Sequence, residues 1–231
     1  MPLSRKACVS GAGVFVGLSA IAGADPVSLG FDRITRSECW FNPEASFHVA
    51  VSEVQTGSGA VAFRVTNNFN LLSSITEVYL DDSGEFASLA GLVQNHGVSL
   101  QAGSASPGNL PGGHAIADPF QVTPALCTDV IGRTSNGVNF AAEFLEFRLN
   151  LSQGRTHDDV LTGLASSDIR LGIHVRGIFR IFSDSFINES YEPPVPAPPQ
   201  IAPLPPGVWM GGIGLAGLGV LSYFRRRLIR V

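Results

Sequence analysis

Apolar and polar residues alternate with a period of two over much of the middle of this chain. The segments 46–54 and 60–66 each place three large apolar residues on one side: Phe47, Val49 and Val51, then Val61, Phe63 and Val65. Such alternation is typical of a half-buried strand. The intervening residues 56–59, Thr-Gly-Ser-Gly, have the composition of a tight turn, so the two segments are predicted to form an antiparallel hairpin.

Two later segments alternate in the same way. Residues 138–151 change parity between Phe144 and Leu145, which predicts a β-bulge at that point. Residues 169–181 carry apolar side chains on one face and His174 with three arginines on the other. This second strand is predicted to have one buried and one wet face, as in an antiparallel sandwich, with His174 in solvent.

One segment has the pattern of a helix. Thr156 followed by Asp159 is a capping-box pair and predicts a short helix from about His157 to Ala165. The stretch 103–124 is dense in Gly, Pro, Ser and Asn and is interpreted as a long surface loop, or as two turns around a brief extended segment. We expect it to be mobile or structural rather than functional. Several strands, many turns and a single helix predict an all-β fold, an antiparallel β-sandwich of jelly-roll-like type over residues 25–191.

The two ends of the chain have a different character. Residues 1–24 combine Arg5 and Lys6, an apolar stretch and Ala22-Gly23-Ala24, which is typical of a secretory signal peptide cleaved after Ala24. Residues 192–206 contain eight prolines and predict an extended stalk. Residues 207–224 carry no formal charge, and as a helix they would span roughly 27 Å of a membrane core of about 30 Å. The basic tail 225–231 is expected to stay in the cytoplasm.

The tail resembles a known sorting signal. Its three parts are a proline motif, an apolar glycine-rich helix and an arginine cluster, formed here by Pro203, Leu204, Pro205 and Pro206, by residues 207–224, and by Arg225, Arg226 and Arg227. Together they resemble the PEP-CTERM signal of exported bacterial proteins, in its Val-Pro-Leu-Pro-Ala variant. Residues 66–82 and 105–113 resemble the ectodomains of the same family. The resemblance implies recognition by a membrane-embedded exosortase-like enzyme, export to the cell surface, and contact with exopolysaccharide.

Charge excludes one class of partner. Between Asp25 and Pro206 there are nine basic and 19 acidic residues, a formal charge of −10, and lysine is absent. Nucleic-acid binding requires Lys and Arg to neutralise phosphates, so no nucleic acid is expected as a partner. The acidic surface is interpreted as a solubility device.

Cys39 and Cys127 remain after signal cleavage. An even pair of cysteines in an oxidising compartment favours one disulfide, and closing a loop of this length would stabilise the fold by roughly 4 to 5 kcal/mol. Two independent free thiols are the alternative.

Motifs for catalysis or metal binding are missing from the sequence. It has no nucleophile elbow, phosphate loop or zinc-spaced cluster, and its five histidines are scattered singly. The run from Asp81 to Glu85 offers oxygens for Ca²⁺, although an acidic turn needs no ion. We therefore predict a non-enzymatic protein without a cofactor.

The predicted function is that of an exported structural or adhesive protein, anchored by its C-terminal helix and then sorted to the cell surface or extracellular matrix. A carbohydrate-binding module or secreted polysaccharide-acting enzyme is the alternative. A third hypothesis is a single-pass membrane protein whose tail is never cut.

Overall fold

A computed structural model describes residues 25–35, 43–55, 57–69, 72–84, 86–103, 105 and 108–193 of the 231-residue chain. All but the last of these residues belong to one compact unit, which ends at Glu192. The predicted signal peptide, nearly all of the stalk, the predicted membrane helix 207–224 and the basic tail lie outside the described residues. Within the described ranges, no helix is both long and apolar enough to cross a membrane.

The described residues form two antiparallel sheets and one α-helix. In chain order the strands are β1 (Val27–Leu29), β2 (Phe31–Arg33), β3 (Phe47–Glu53), β4 (Ala60–Asn67), β5 (Ser74–Asp81), β6 (Ala87–Gln94), β7 (Leu100–Ala102), β8 (Cys127–Val130), β9 (Phe144–Leu151), β10 (Arg170–Ile178) and β11 (Phe182–Asn188). The helix α1 covers His157–Ser166. Three short 3-10 turns occupy Glu44–Ser46, Gly113–Ala115 and Thr134–Asn136.

The strands are divided between the sheets in a way that confirms an all-β sandwich-like architecture. Sheet A has the order β1-β3-β4-β9-β6, and sheet B has the order β2-β11-β10-β5-β8-β7. Apolar residues from the facing sides of both sheets form one large core cluster, which includes Phe47, Phe63, Phe147, Ile173 and Phe186. Burial of this surface contributes about 25 cal/mol per Å² and is the main force holding the sheets together.

The predicted hairpin is confirmed. Strands β3 and β4 pair from Phe47 with Asn67 to Glu53 with Val61, and the six predicted inward residues are at most 1% exposed. The outer side of sheet A carries an ion-pair chain in which Glu146 accepts from Arg64 and Arg148 at 2.9 Å each. Sheet A therefore has the predicted arrangement of one buried and one polar face.

The predicted bulge at Phe144 and Leu145 is wrong. Strand β9 begins at Phe144 and pairs with β4 without interruption, Phe144 with Thr66 and Leu145 with Val65. The change of parity instead marks the end of a turn, in which the Glu143 N–H donates to the Phe140 carbonyl at 2.8 Å. Residue 140 consequently lies in a connection, and its side chain is 65% exposed.

The predicted helix is confirmed together with its cap. The Thr156 hydroxyl accepts from the Asp159 N–H at 3.3 Å, while the Asp159 carboxylate accepts from the Thr156 N–H at 2.7 Å. This reciprocal pair satisfies two backbone donors that a helix start leaves free. The same hydrogen bonds hold the pKa of Asp159 below its usual range.

The prediction that one face of β10 is exposed to solvent is wrong, because both faces of this strand of sheet B are covered over most of its length. Residues Leu110 and Phe120 of the 108–126 connection pack over Gly172, so that a Cβ at position 172 would come within 2.6 Å of Leu110. A second apolar cluster, with Tyr79, Cys127 and Ile187, lies beneath this connection. Of the two roles expected for the long loop, mobile or structural, this packing favours the structural one. The connection covers Gly172, which lies on the same face of β10 as His174, and His174 is only 9% exposed. Strand β10 also ends earlier than predicted, at Ile178, and Ile181 is 77% exposed.

Candidate functional site

A large concave surface among the described residues lies at one end of the sandwich. Four connections meet there, those joining β4 to β5, β6 to β7, β8 to β9, and β10 to β11. We call this surface the end groove; its volume is about 660 Å³ and its lining includes Phe69, Leu72, Thr134, Ser135, Asn139, Phe140, Glu143, Arg176 and Arg180. Loops at the end of a rigid sandwich are a common location for binding sites.

The apolar part of the end groove is unusually exposed. Leu72 is 52% exposed and Phe140 is 65% exposed, although both are large apolar side chains. Beneath them, the Phe69 ring lies edge to face against Phe179 at 6.0 Å and also contacts Phe47 at 6.4 Å. The groove floor is thus continuous with the core, which holds it rigid.

Polar groups surround this apolar surface, and some of them are already engaged. The Glu143 carboxylate accepts from the Asn139 N–H at 2.7 Å and from the Asn139 side chain at 3.1 Å. These bonds shape the 139–143 turn that presents Phe140. The Thr134 and Ser135 side chains are exposed. No described residue pairs with the guanidinium of Arg180, so this cation is available to a ligand.

Arg180 occupies a strained part of the β10–β11 turn. Phe179 and Arg180 have φ values of 52° and 72°, the left-handed region that non-glycine residues seldom adopt. The turn is closed by the Arg180 N–H, which donates to the Gly177 carbonyl at 2.7 Å. Two non-glycine residues in this conformation are an energetic cost that the surrounding structure has to offset. In this conformation Phe179 contacts Phe69 and Arg180 lines the end groove.

Next to the end groove, a polar network lies on the covered side of sheet B. Its centre is Glu77, which is fully buried. The Glu77 carboxylate accepts from the Thr76 hydroxyl at 2.7 Å and lies 2.6 Å from the His174 Nδ1. It also forms an ion pair with Arg176. A buried carboxylate needs such partners, since an unpaired one is strongly destabilising. Arg176 lies between this network and the end groove.

Asp129 extends the network to the next strand. It lies opposite Glu77 in the β5–β8 pair. Burial and the charge of Glu77 raise the pKa of Asp129 above its usual range. Burial also raises the pKa of Tyr79 and of the Cys127 thiol nearby.

Ser185 gives the network the appearance of a catalytic arrangement. Ser185 pairs with His174, and His174 pairs with Glu77, across three neighbouring strands. The order Ser-His-carboxylate occurs in hydrolases. However, the Ser185 hydroxyl is buried and makes no hydrogen bond with any described residue. A nucleophile needs a base within hydrogen-bond reach as well as access to substrate, so this geometry favours a packed polar layer.

Asp81 and Asp82, at the start of the acidic run, have carboxylates that already accept hydrogen bonds. Asp82 accepts from the backbone N–H groups of Gly84 at 2.8 Å and Ala87 at 3.1 Å. Asp81 accepts from Arg170 at 2.6 Å and from the Gln121 N–H at 2.9 Å. Glu85 lies outside the described residues. The described part of the chain holds no group of three or more His, Cys, Asp or Glu residues suited to a metal ion. The geometry therefore favours the turn over the Ca²⁺ interpretation.

The described residues contain few of the site residues that the sequence singled out. Cys127 is a buried free thiol, and Cys39 lies outside the described residues, so the predicted disulfide stays a prediction. Pro203, Leu204, Pro205 and Pro206 also lie outside them, as do Arg225, Arg226 and Arg227. The end groove was missed because Phe140 alternates with its neighbours as a strand residue would. The available signal was the turn-forming run Thr134-Ser135-Asn136-Gly137 just before it.

Comparison with known proteins adds no relative to these observations: no protein-family model, no curated protein and no solved structure matches this chain.

Proposed function

We propose that this protein is an exported, non-catalytic adhesive protein of the cell surface or extracellular matrix, and that its sandwich binds matrix polysaccharide in the end groove. The observation that carries the proposal is the Phe140 side chain, which is 65% exposed and lines the end groove together with the exposed Leu72. Large apolar side chains exposed together mark interaction sites. A flat ring offers the apolar face of a sugar a surface on which to stack.

The polar rim supports a ligand with hydroxyl or carboxylate groups. Thr134 and Ser135 contribute exposed hydroxyls, and Arg180 contributes an unengaged guanidinium. A groove with an apolar floor and a few convergent polar groups is the usual form of a specific binding site. The groove is open and lies at the end of the domain, which suits a polymer that continues beyond the contact.

Binding is favoured over hydrolysis by the placement of carboxyl groups. Glycosidases use two carboxyl groups about 5 to 9.5 Å apart on either side of the scissile bond. The described lining of the end groove contributes one carboxylate, Glu143, and that group accepts two hydrogen bonds from Asn139. The nearby Glu77 and Asp129 lie opposite each other on adjacent strands, and Glu77 is fully buried, so this pair is not arranged on either side of an open cleft.

Export and sorting are proposed from the two ends of the chain. The signal-peptide pattern of residues 1–24 supports secretion, and the tail from Pro203 to Arg227 supports recognition by an exosortase-like membrane enzyme. The stalk of residues 192–206 would hold the sandwich away from the membrane.

The jelly-roll-like form of the sandwich belongs to the same proposal. It is supported by the connections from β4 to β5, from β8 to β9 and from β9 to β10, each of which passes from one sheet to the other.

A binding assay with one substitution tests the proposal. The fluorescently labelled full chain is applied to an array of purified bacterial exopolysaccharides, both neutral and uronic-acid-containing, and dissociation constants are measured for the chains bound. Phe140→Ala is expected to weaken binding about tenfold or more, because aromatic anchors at the centre of an interface contribute over 1 kcal/mol.

Ile181→Ala is the matched control. Ile181 is 77% exposed but does not line the end groove, so its loss should leave the dissociation constant unchanged. The proposal fails if the parent chain binds no polysaccharide on the array, or if Phe140→Ala and Ile181→Ala bind as the parent does.

A further inference from the structure

The four edges of the two sheets differ greatly in length. Three of the edge strands among the described residues, β1, β2 and β7, have three residues each, whereas β6 has eight. An edge strand presents N–H and C=O groups that have no partner on its outer side, and a very short strand presents few of them. Strand β6 is therefore the long free edge in the described part of the sandwich.

Strand β6 lacks most of the features that normally protect an edge. Its sequence is Ala-Ser-Leu-Ala-Gly-Leu-Val-Gln, without a charge or a proline. Natural proteins usually place lysine, proline or an inward-pointing charge on such a strand to prevent pairing with another chain. One irregularity is present, a register shift between Leu89 and Gly91. All eight residues are half-buried or exposed.

The ends of the strand are held in place while its middle is free. The Ala87 N–H donates to the Asp82 carboxylate at 3.1 Å, and the Gln94 side chain bonds to both backbone groups of Leu100 at 2.9 and 3.2 Å. Between them, no described residue other than those of β9 makes a hydrogen bond with the backbone of residues 88–93. The edge is thus fixed in an extended conformation, ready to pair.

The geometry points to a second copy of this chain as the occupant: we propose that β6 pairs antiparallel with β6 of another molecule about a two-fold axis between Ala90 and Gly91. This register places Leu89 opposite Leu92 of the second copy. Both residues lie on the core side, because their partners in β9 are Leu149 and Phe147. Register is strongly specified where one face of a sheet is buried, and here the apolar face continues across the axis.

On the outer face of sheet A, the same register also brings compatible residues of the two copies opposite each other. Ser88 comes opposite Val93 of the second copy, and both lie on the outer side with Asn150 and Glu146 as their partners in β9. The region from Asp25 to Pro206 has a formal charge of −10, so two copies repel each other over most of their surface. Pairing through β6 brings no like charges directly opposite each other, which would be destabilising.

Symmetry limits the assembly to two molecules. A two-fold contact uses the same strand of both copies and leaves no further β6 exposed. The remaining described edges are three residues long and offer too little backbone for a second contact of this kind. The pairing would join the two A sheets into one continuous ten-stranded sheet.

Sedimentation of the full chain in mild detergent tests this inference. The parent chain is expected to have the mass of a dimer, and Ser88→Lys is expected to have that of a monomer, because a lysine on an edge strand is one of the features that prevent pairing with another chain. Ser88 is exposed, so the variant should fold normally, with a circular dichroism melting curve like that of the parent.

Asn150→Lys is the matched control. It adds the same charge on the same face, next to Ser88 but on the inner strand β9, and should remain dimeric.

The register is tested by cross-linking. A Ser88→Cys, Val93→Cys double variant should form a disulfide-linked dimer under mild oxidation, whereas the parent chain, with its native cysteines, should not. A monomeric parent overturns the inference, and so does a dimer that persists in Ser88→Lys, as a contact made by the C-terminal tail would. Failure of the double variant to cross-link overturns the proposed register. Polysaccharide binding in the end groove is measured separately and does not depend on these outcomes.

Discussion

Glu77 and Asp129 lie opposite each other on β5 and β8. Glu77 also contacts His174 and Arg176, which are 97 and 99 residues away in the sequence. His174 was predicted to be solvated because it alternates with apolar residues. It is buried because the 108–126 connection covers its face of sheet B, and such coverage is decided by parts of the chain far away in sequence.

The raised pKa of Asp129 predicts a dependence of stability on pH. An acid whose pKa is higher in the folded state than its ordinary value of about 3.8 holds its proton more tightly when folded, so its contribution to stability is present at low pH. The free energy of unfolding should therefore contain a component that decreases as pH rises from about 4 through the folded-state pKa.

Asp129→Asn should remove that component, because the amide does not titrate. Urea unfolding of the full chain between pH 4 and pH 7 measures it. Asp32→Asn, an exposed position on β2, is the control and should keep the parent's profile. Equal slopes for Asp129→Asn and the parent would contradict a raised pKa of Asp129 in the folded state.

At the scale of elements, predictions from local patterns were confirmed where residues close together in the sequence determine the structure. The β3–β4 hairpin and the capped helix α1 follow from alternation, turn residues and a capping box within a few positions. The prediction of a bulge near Phe144 was wrong because a change in the parity of the apolar residues can have two causes. One is an extra residue within a strand, and the other is the entry into a strand from a turn. Only the pairing partner β4 distinguishes them.

The connection that covers sheet B provides a prediction at this scale. Gly172→Ala would place a Cβ within 2.6 Å of Leu110, and the connection would have to shift away from β10. Overpacking of this kind typically costs about 1 to 3 kcal/mol, which chemical denaturation of the full chain can measure. Gly108→Ala in the same connection meets no atom within 4 Å and should be tolerated. Equal stability of the two variants would show that the connection is loosely held.

At the scale of the whole molecule, the sandwich separates its features in space. The end groove is built from four connections at one end, while the acidic turn after β5 and the start of β10 meet elsewhere, in a second cavity of about 540 Å³. The long free edge β6 belongs to a side of sheet A. The proposed polysaccharide site and the proposed dimer contact therefore occupy different parts of the sandwich.

The predicted processing of the chain is tested by intact mass. Protein from the membrane and from the extracellular medium should begin at Asp25, and the released form should also lack the segment beyond the Pro203–Pro206 motif. Substitution of Arg225, Arg226 and Arg227 by serine should reduce the released fraction, since the cluster forms one part of the signal. Retention of residues 207–231 in all fractions, in a host with an intact sorting enzyme, would instead indicate a permanently anchored membrane protein.

The sequence by itself determined the fold class, the hairpin and the helix cap, since alternation and capping are properties of residues close together in the chain. It also carries the linear patterns from which export and sorting are predicted. The tertiary structure alone decided the burial of Glu77 and His174, the exposure of Phe140 and the position of β6 at an edge. Each of these depends on which distant segment packs against which, and the free energy of that packing comes from contacts that no local pattern records.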